Sequence, residues 1–137
     1  MVQIRASRRA ADEAYYIVQT PHDVQTKLDL LLASDPDHIK VFPSHSERFS
    51  EGWGKWGPGG GIDPKLLPVI VERGREAEKR VAVATSSIFD YRASLAAGVG
   101  VITHLPCYQD TEQDPDSPYF DKAEEDECLL SDEDAKR

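Results

Sequence analysis

His38-Ile39-Lys40-Val41-Phe42, followed at once by Pro43-Ser44-His45-Ser46-Glu47, is the stretch on which the fold turns. Its β-branched and aromatic residues predict a strand. A lysine stands in the middle of that strand, and imidazoles and a carboxylate crowd its end. A strand of this kind either lies at a solvated edge or carries a charged group into a site, and the flanking chain decides between the two.

Upstream, Tyr15-Tyr16-Ile17-Val18 has the composition of a strand. Thr20-Pro21 then opens a helix, with Thr20 as the cap, Pro21 at the first helical position and Asp23 in the first turn. Val24, Leu28, Leu31 and Leu32 recur at helical spacing and predict one apolar face. Asp35-Pro36-Asp37 ends that helix. Residues 3–14 are poor in large apolar side chains and predict a short exposed helix or a frayed terminus.

Downstream, residues 43–63 show neither helical nor strand periodicity. Six of the nine glycines and both tryptophans fall between Gly52 and Gly61. A connection of that length is a functional cover more often than slack. It lacks the G-x-x-x-x-G-K-[ST] pattern of a phosphate loop. Asp63-Pro64 predicts the start of a second helix, with Leu66, Leu67, Ile70 and Val71 on its buried face. Val81-Ala82-Val83-Ala84-Thr85 reads as a strand apolar on both faces. Asp90 is the expected cap of a third helix, which Gly98 closes. Val99 to His104 is again a nearly continuous apolar strand, ended by Leu105-Pro106.

Strands alternating with helix-length connections predict an α/β fold, a parallel βα repeat whose sheet is covered by helices. The expected organisation is an exposed segment over 1–14, a βα domain over 15–108, and an acidic loop or tail over 109–137. Ser131-Asp132-Glu133-Asp134 in that tail resembles a helix start.

Composition excludes several classes. The formal charge is -9, and 12 acidic residues but one lysine lie between Asp110 and Asp134. That balance argues against a nucleic-acid surface, which needs clustered Lys and Arg. No apolar run approaches the roughly 18–20 residues that span a bilayer. Arg5, Arg8 and Arg9 imitate the start of a signal peptide, but Ala10-Ala11-Asp12-Glu13 interrupts any apolar core. Cys107 and Cys128 make no disulfide framework. A reduced, cytoplasmic chain is expected.

Ligand sites of parallel α/β folds gather at the C-terminal ends of strands. There the sequence offers Lys40, His45, Glu47, Ser86, Ser87, His104 and Cys107. His45-Ser46-Glu47 is a short metal-ligand pattern, also consistent with a hydrogen-bonded loop. Ser86, Ser87 and Cys107 are candidate nucleophiles without a nucleophile-elbow sequence. Asp110, Glu112, Asp114 and Asp116 alternate like calcium ligands, but the glycine and final glutamate of a calcium loop are missing. His22 and His38 receive no role.

Taken in order, several of these segments carry a resemblance. They are Ile39-Lys40-Val41-Phe42 with His45-Ser46-Glu47, Gly61-Ile62-Asp63-Pro64-Lys65-Leu66-Leu67-Pro68, Asp90-Tyr91-Arg92-Ala93-Ser94-Leu95-Ala96-Ala97-Gly98-Val99, and Ile102-Thr103-His104-Leu105-Pro106. Together they resemble the middle of an amidohydrolase-superfamily metal-dependent hydrolase. The nearest likeness is to the imidazolonepropionase-like and Xaa-Pro dipeptidase-like branch, over residues 15–108. The resemblance implies about half of a (β/α)8 TIM barrel, its third to sixth strands. It implies that Lys40 matches a lysine that is carboxylated and bridges two metal ions in binuclear members, and that His104 matches a histidine ligand. The metal would be a divalent ion such as zinc, and the substrate a small amide or ester.

The pattern also departs from the family. The fifth-strand histidine ligand falls at Ala84, and the first-strand His-x-His pair and the eighth-strand aspartate have no counterpart. Lys40 and His104 alone are fewer than the three protein ligands of a catalytic zinc. Four strands cannot close such a barrel. The expected partner is therefore another copy of the chain, paired through exposed strand edges. The expected function is a truncated or degenerate hydrolase, or a noncatalytic binding or assembly protein on the same half-barrel.

Overall fold

A computed structural model describes residues 2–5, 15–43, 45–51, 53–54, 57–58, 61–105 and 130–136. Five strands form one parallel sheet: β1 (Val2–Arg5), β2 (Tyr15–Tyr16), β3 (His38–Phe42), β6 (Arg80–Ala84) and β7 (Val101–Thr103). Their spatial order is β2-β1-β3-β6-β7. Helices α1 (Pro21–Leu32), α2 (Leu66–Glu76) and α3 (Ile88–Ala96) make the connections into β3, β6 and β7. The chain is an α/β fold with alternating helices, and β3, β6 and β7 lie side by side in sequence order.

Each helix starts for a readable reason. Thr20 accepts a hydrogen bond from the Asp23 N–H, and Asp23 accepts one from the Thr20 N–H, a reciprocal box with Pro21 behind it. On α1, Val24, Leu28 and Leu31 are buried at the expected spacing. α2 begins at Leu66, later than Asp63-Pro64 predicts. The Asp63 carboxylate accepts the Lys65 N–H and forms a turn before the helix instead of capping it. α3 is capped by Ser87, not by Asp90 as expected. Asp90 lies inside the first turn, where its N–H donates to Ser87 Oγ. Gly98 closes the helix at φ 71°, a conformation that suits glycine.

The expectation for the first residues is corrected. Val2–Arg5 is a strand, inserted between β2 and β3, with Val2 in register with Ile39 and Ile4 with Val41. A period of two over four residues was too short to read against the charged residues that follow. Residues 6–14 lie outside the described residues. Strand β7 is also shorter than the apolar run Val99–His104 implies. It is an edge strand in which Val101 is 37% exposed, while Val99 packs against the core ahead of it. Within the predicted loop 43–63, a 3₁₀ turn spans Ser46–Glu51 and a small antiparallel pair joins β4 (Trp53–Gly54) to β5 (Gly57–Pro58). The excursion is closed at its neck, where the N–H of buried Ile62 donates to the Pro43 carbonyl at 3.1 Å.

The cluster of large apolar side chains lies on one side of the sheet, while Ala82 and Ala84 are buried on the other. Ile39 and Val41 of β3 stand in register with Val81 and Val83 of β6, and all four pack with Leu28, Leu31, Leu67 and Ile70 from α1 and α2. Ala93 and Ala97 of α3 join the same cluster. The other parity carries His38, Lys40 and Phe42, then Ala82 and Ala84, then Val101 and Thr103. None of these joins the core that the helices share.

Close packing of α2 on β6 yields a test. A Cβ on Gly74 would stand 2.7 Å from Val81 Cγ2 and 3.2 Å from the Lys79 carbonyl oxygen. Alanine gains up to about 1 kcal/mol of helix propensity over glycine, but overpacking costs about 1–3 kcal/mol. Gly74→Ala should therefore lower the thermal midpoint, measured by circular dichroism, where an exposed helical glycine would raise it.

Candidate functional site

The C-terminal ends of β3 and β6 are drawn together by one side chain. Asp90 is fully buried, and its carboxylate accepts four hydrogen bonds. Oδ1 takes the Ser46 N–H at 3.0 Å and the Ser46 hydroxyl at 2.6 Å. Oδ2 takes the His45 N–H at 3.0 Å and the Ser86 N–H at 3.2 Å. Three of these donors are backbone groups of the loops after β3 and β6. His45 adopts φ 60°, so the chain turns sharply as it leaves the strand and aims successive N–H groups at one carboxylate. Ser94 Oγ donates to the Asp90 carbonyl and fixes the same helical turn from below.

Above this anchor lies a second network. His45 Nδ1 stands 3.1 Å from Glu47 Oε1, and Ser87 Oγ donates to Glu47 Oε2 at 2.9 Å. Burial pushes the Glu47 carboxyl up, but the His45 ring, its own backbone N–H and the Ser87 hydroxyl together hold it below its ordinary value. This arrangement decides the chemistry of Ser87. Its proton points at a carboxylate that is a weaker base than usual, and its oxygen already accepts the Asp90 N–H. The Ser87 hydroxyl is thus held between the Glu47 carboxylate and the Asp90 N–H, contacts that describe a loop clamp.

Lys40 stands on the non-core face of β3. Its ammonium lies 4.9 Å from the centroid of the Phe42 ring, within cation–π range. Ala84 occupies the same parity on β6, opposite Thr103 of β7. His104 follows β7 at φ 68°, is exposed, and gives its carbonyl to Thr85 Oγ1. A cavity of about 420 Å³ adjoins Lys40, and its described lining includes Thr103 but not His104.

The donor set does not suit the divalent metal that the resemblance implies. Among the described residues, no three His, Cys, Asp or Glu side chains stand close enough to hold a metal ion. Lys40 presents an ammonium to an aromatic ring, and Ala84 offers no ligand atom. Cys107 and the alternating acids from Asp110 to Asp116 lie outside the described residues.

At the other end of the chain, the helix start expected at Ser131 is a 3₁₀ turn over Asp134–Lys136. Ser131 and Asp134 cap each other, and Arg92 of α3 donates from Nε and Nη2 to the Asp134 carboxylate at 2.9 and 2.8 Å. The Arg92 guanidinium, then the Ser131 hydroxyl and N–H, hold the Asp134 carboxyl far below the usual range.

Sequence reasoning found Lys40, His45, Glu47 and Ser87 but took Asp90 for a helix cap. The spacing Ser87-x-x-Asp90 was the available signal. What it could not reveal is that this carboxylate turns outward to another loop. No helix among the described residues is long and apolar enough to cross a membrane.

Two predictions test these networks. Asp90→Ala strands the buried N–H and hydroxyl of Ser46 and the part-buried N–H groups of His45 and Ser86, and should destabilise the fold by about 3–5 kcal/mol in urea denaturation. The second concerns acid. Glu47 and Asp134 titrate lower in the folded chain than in the unfolded one, so the unfolded chain binds more protons in acid. Their stabilisation is complete above the ordinary carboxylate values near about pH 4 and is lost as pH falls through the depressed folded values. Glu47→Gln should therefore flatten the acid limb of a stability profile relative to the native chain.

Comparison with protein-family models, with curated proteins and with solved structures finds no match.

Proposed function

We propose that this chain is a degenerate amidohydrolase-like half-barrel, akin to metal-dependent hydrolases of amide or ester bonds, that works by binding and assembly instead of hydrolysis. The observation that carries this reading is the placement of Lys40 and Ala84 on the same non-core face of a parallel βα sheet. In a (β/α)8 barrel that face is the interior, where metal ligands converge from several strands. Alanine removes one ligand, and the clamp of Asp90, Glu47 and Ser87 occupies the strand ends with structural hydrogen bonds. The insertion of β1 beside β3 is a departure from a simple barrel order.

Assembly is favoured because β2 and β7 are the outer strands of the sheet, and neither has a further strand beside it among the described residues. Such edges invite pairing with another chain. A second copy that extends the sheet at either edge would continue the curved face on which Lys40 stands. A metal site would then require ligands from that second copy.

The test is metal content and turnover measured on one preparation. After zinc loading and dialysis, plasma mass spectrometry should find well under one metal per chain. Hydrolysis of p-nitrophenyl acetate and of an Xaa-Pro dipeptide should not exceed the buffer rate. One tightly held zinc per chain, lost in Lys40→Ala or His104→Ala together with measurable hydrolysis, would overturn the proposal.

A further inference from the structure

The non-core face holds a cluster of charge that neither network explains. Lys40 of β3 and Arg80 of β6 both border the cavity of about 420 Å³, with His38 beside them. His38 and Arg80 are paired in register across the two strands, and Lys40 follows two residues on, on the same face. From strand spacing and rise, the Lys40 and Arg80 backbones stand roughly 8 Å apart, a gap that two long cationic side chains close easily. Neither makes an ion pair among the described residues; the one contact of the Lys40 ammonium is the Phe42 ring. Among the described residues four other cations, Arg73, Arg75, Lys79 and Arg92, are paired with acids. Two unpaired cations in one concavity stand out in a chain of net charge -9.

The walls define the ligand further. Ala82 and Val101, in register on adjacent strands, give the cavity an aliphatic floor. Asp37 is the one acid in the described lining and forms no ion pair with either cation. Lys40 and Arg80 against Asp37 leave one formal positive charge in excess among the carboxylate, ammonium and guanidinium groups of the lining. That balance matches a monoanion better than a phosphate dianion. The cavity volume is in the range of small-molecule sites, and the guanidinium fork suits a planar carboxylate.

We propose that this cavity binds a small organic carboxylate, its anionic end between Lys40 Nζ and the Arg80 guanidinium and its apolar body on Ala82 and Val101. The site lies toward the N-terminal ends of β3 and β6, away from the Asp90 clamp. It does not depend on the descent proposed above, because its readout is binding of a carboxylate and not metal or turnover.

The experiment is an NMR titration of the ¹⁵N-labelled full chain with sodium benzoate, and in parallel with benzyl alcohol and inorganic phosphate. Benzoate should saturate with a Kd at or below about 1 mM and shift the amides of Ala82, Val101 and Thr103. Benzyl alcohol, of similar shape without the charge, should not saturate, and phosphate should bind at least about tenfold more weakly. Arg80→Gln and Lys40→Met should each weaken benzoate by about tenfold or more, with core resonances unmoved. Unsaturated benzoate shifts, an equal response to benzyl alcohol, tighter binding of phosphate, or undiminished binding in both variants would overturn the proposal. If a variant fails to fold, the native chain still decides, since benzoate shifts centred away from Ala82, Val101 and Thr103 contradict the site.

Discussion

One-sided packing of the large apolar side chains is the constraint from which the rest of this structure follows. Ile39, Val41, Val81 and Val83 point to the side where α1, α2 and α3 pack, and their alternation with Lys40, Ala82 and Ala84 leaves those residues on the other side. In a parallel strand a shift of one residue exchanges the two faces. The buried valines and isoleucine therefore fix the position of Lys40 more firmly than any contact of Lys40 itself. An ammonium in the middle of a strand is tolerated here because its face is not the core, and because the Phe42 ring lies beneath it.

Asp90 performs the corresponding task at the strand ends. At Thr20, Ser87 and Ser131 a Ser/Thr-x-x-Asp spacing forms a cap, in which the aspartate N–H donates to the hydroxyl. At Thr20 and Ser131 the carboxylate returns to the N–H of its own cap residue. At Ser87 it turns away and gathers His45, Ser46 and Ser86. The buried carboxylate is stable because every hydrogen bond it accepts is supplied by a fixed donor. The same arrangement ties the loops after β3 and β6 to the first turn of α3.

The legible and illegible parts of the sequence divide along physical lines. Helices α1 and α2 could be read because their helical periodicity extends over enough residues, and strands β3 and β6 because β-branched, aromatic and apolar residues are concentrated in them. Thr20-Pro21 and Gly98 could be read because their roles depend on local backbone chemistry alone. Val2–Arg5 could not, since its strand character comes from pairing with Ile39 and Val41, a tertiary effect that outweighs a four-residue pattern. The shortness of β7 reflects its place at the sheet edge, which composition does not encode. Of the candidate site, residue types and strand-end positions were visible in advance. The partnership of Asp90 with His45 and Ser46, and the placement of Arg80 and Lys40 on one face of adjacent strands, required the fold.

The proposed assembly would extend this sheet at its outer strands, β2 and β7, with a strand from another chain. Sedimentation velocity across a micromolar concentration series tests this account most directly. A sedimentation coefficient that rises with concentration to that of a dimer or larger ring is the predicted result. A single monomeric boundary throughout the series would contradict it.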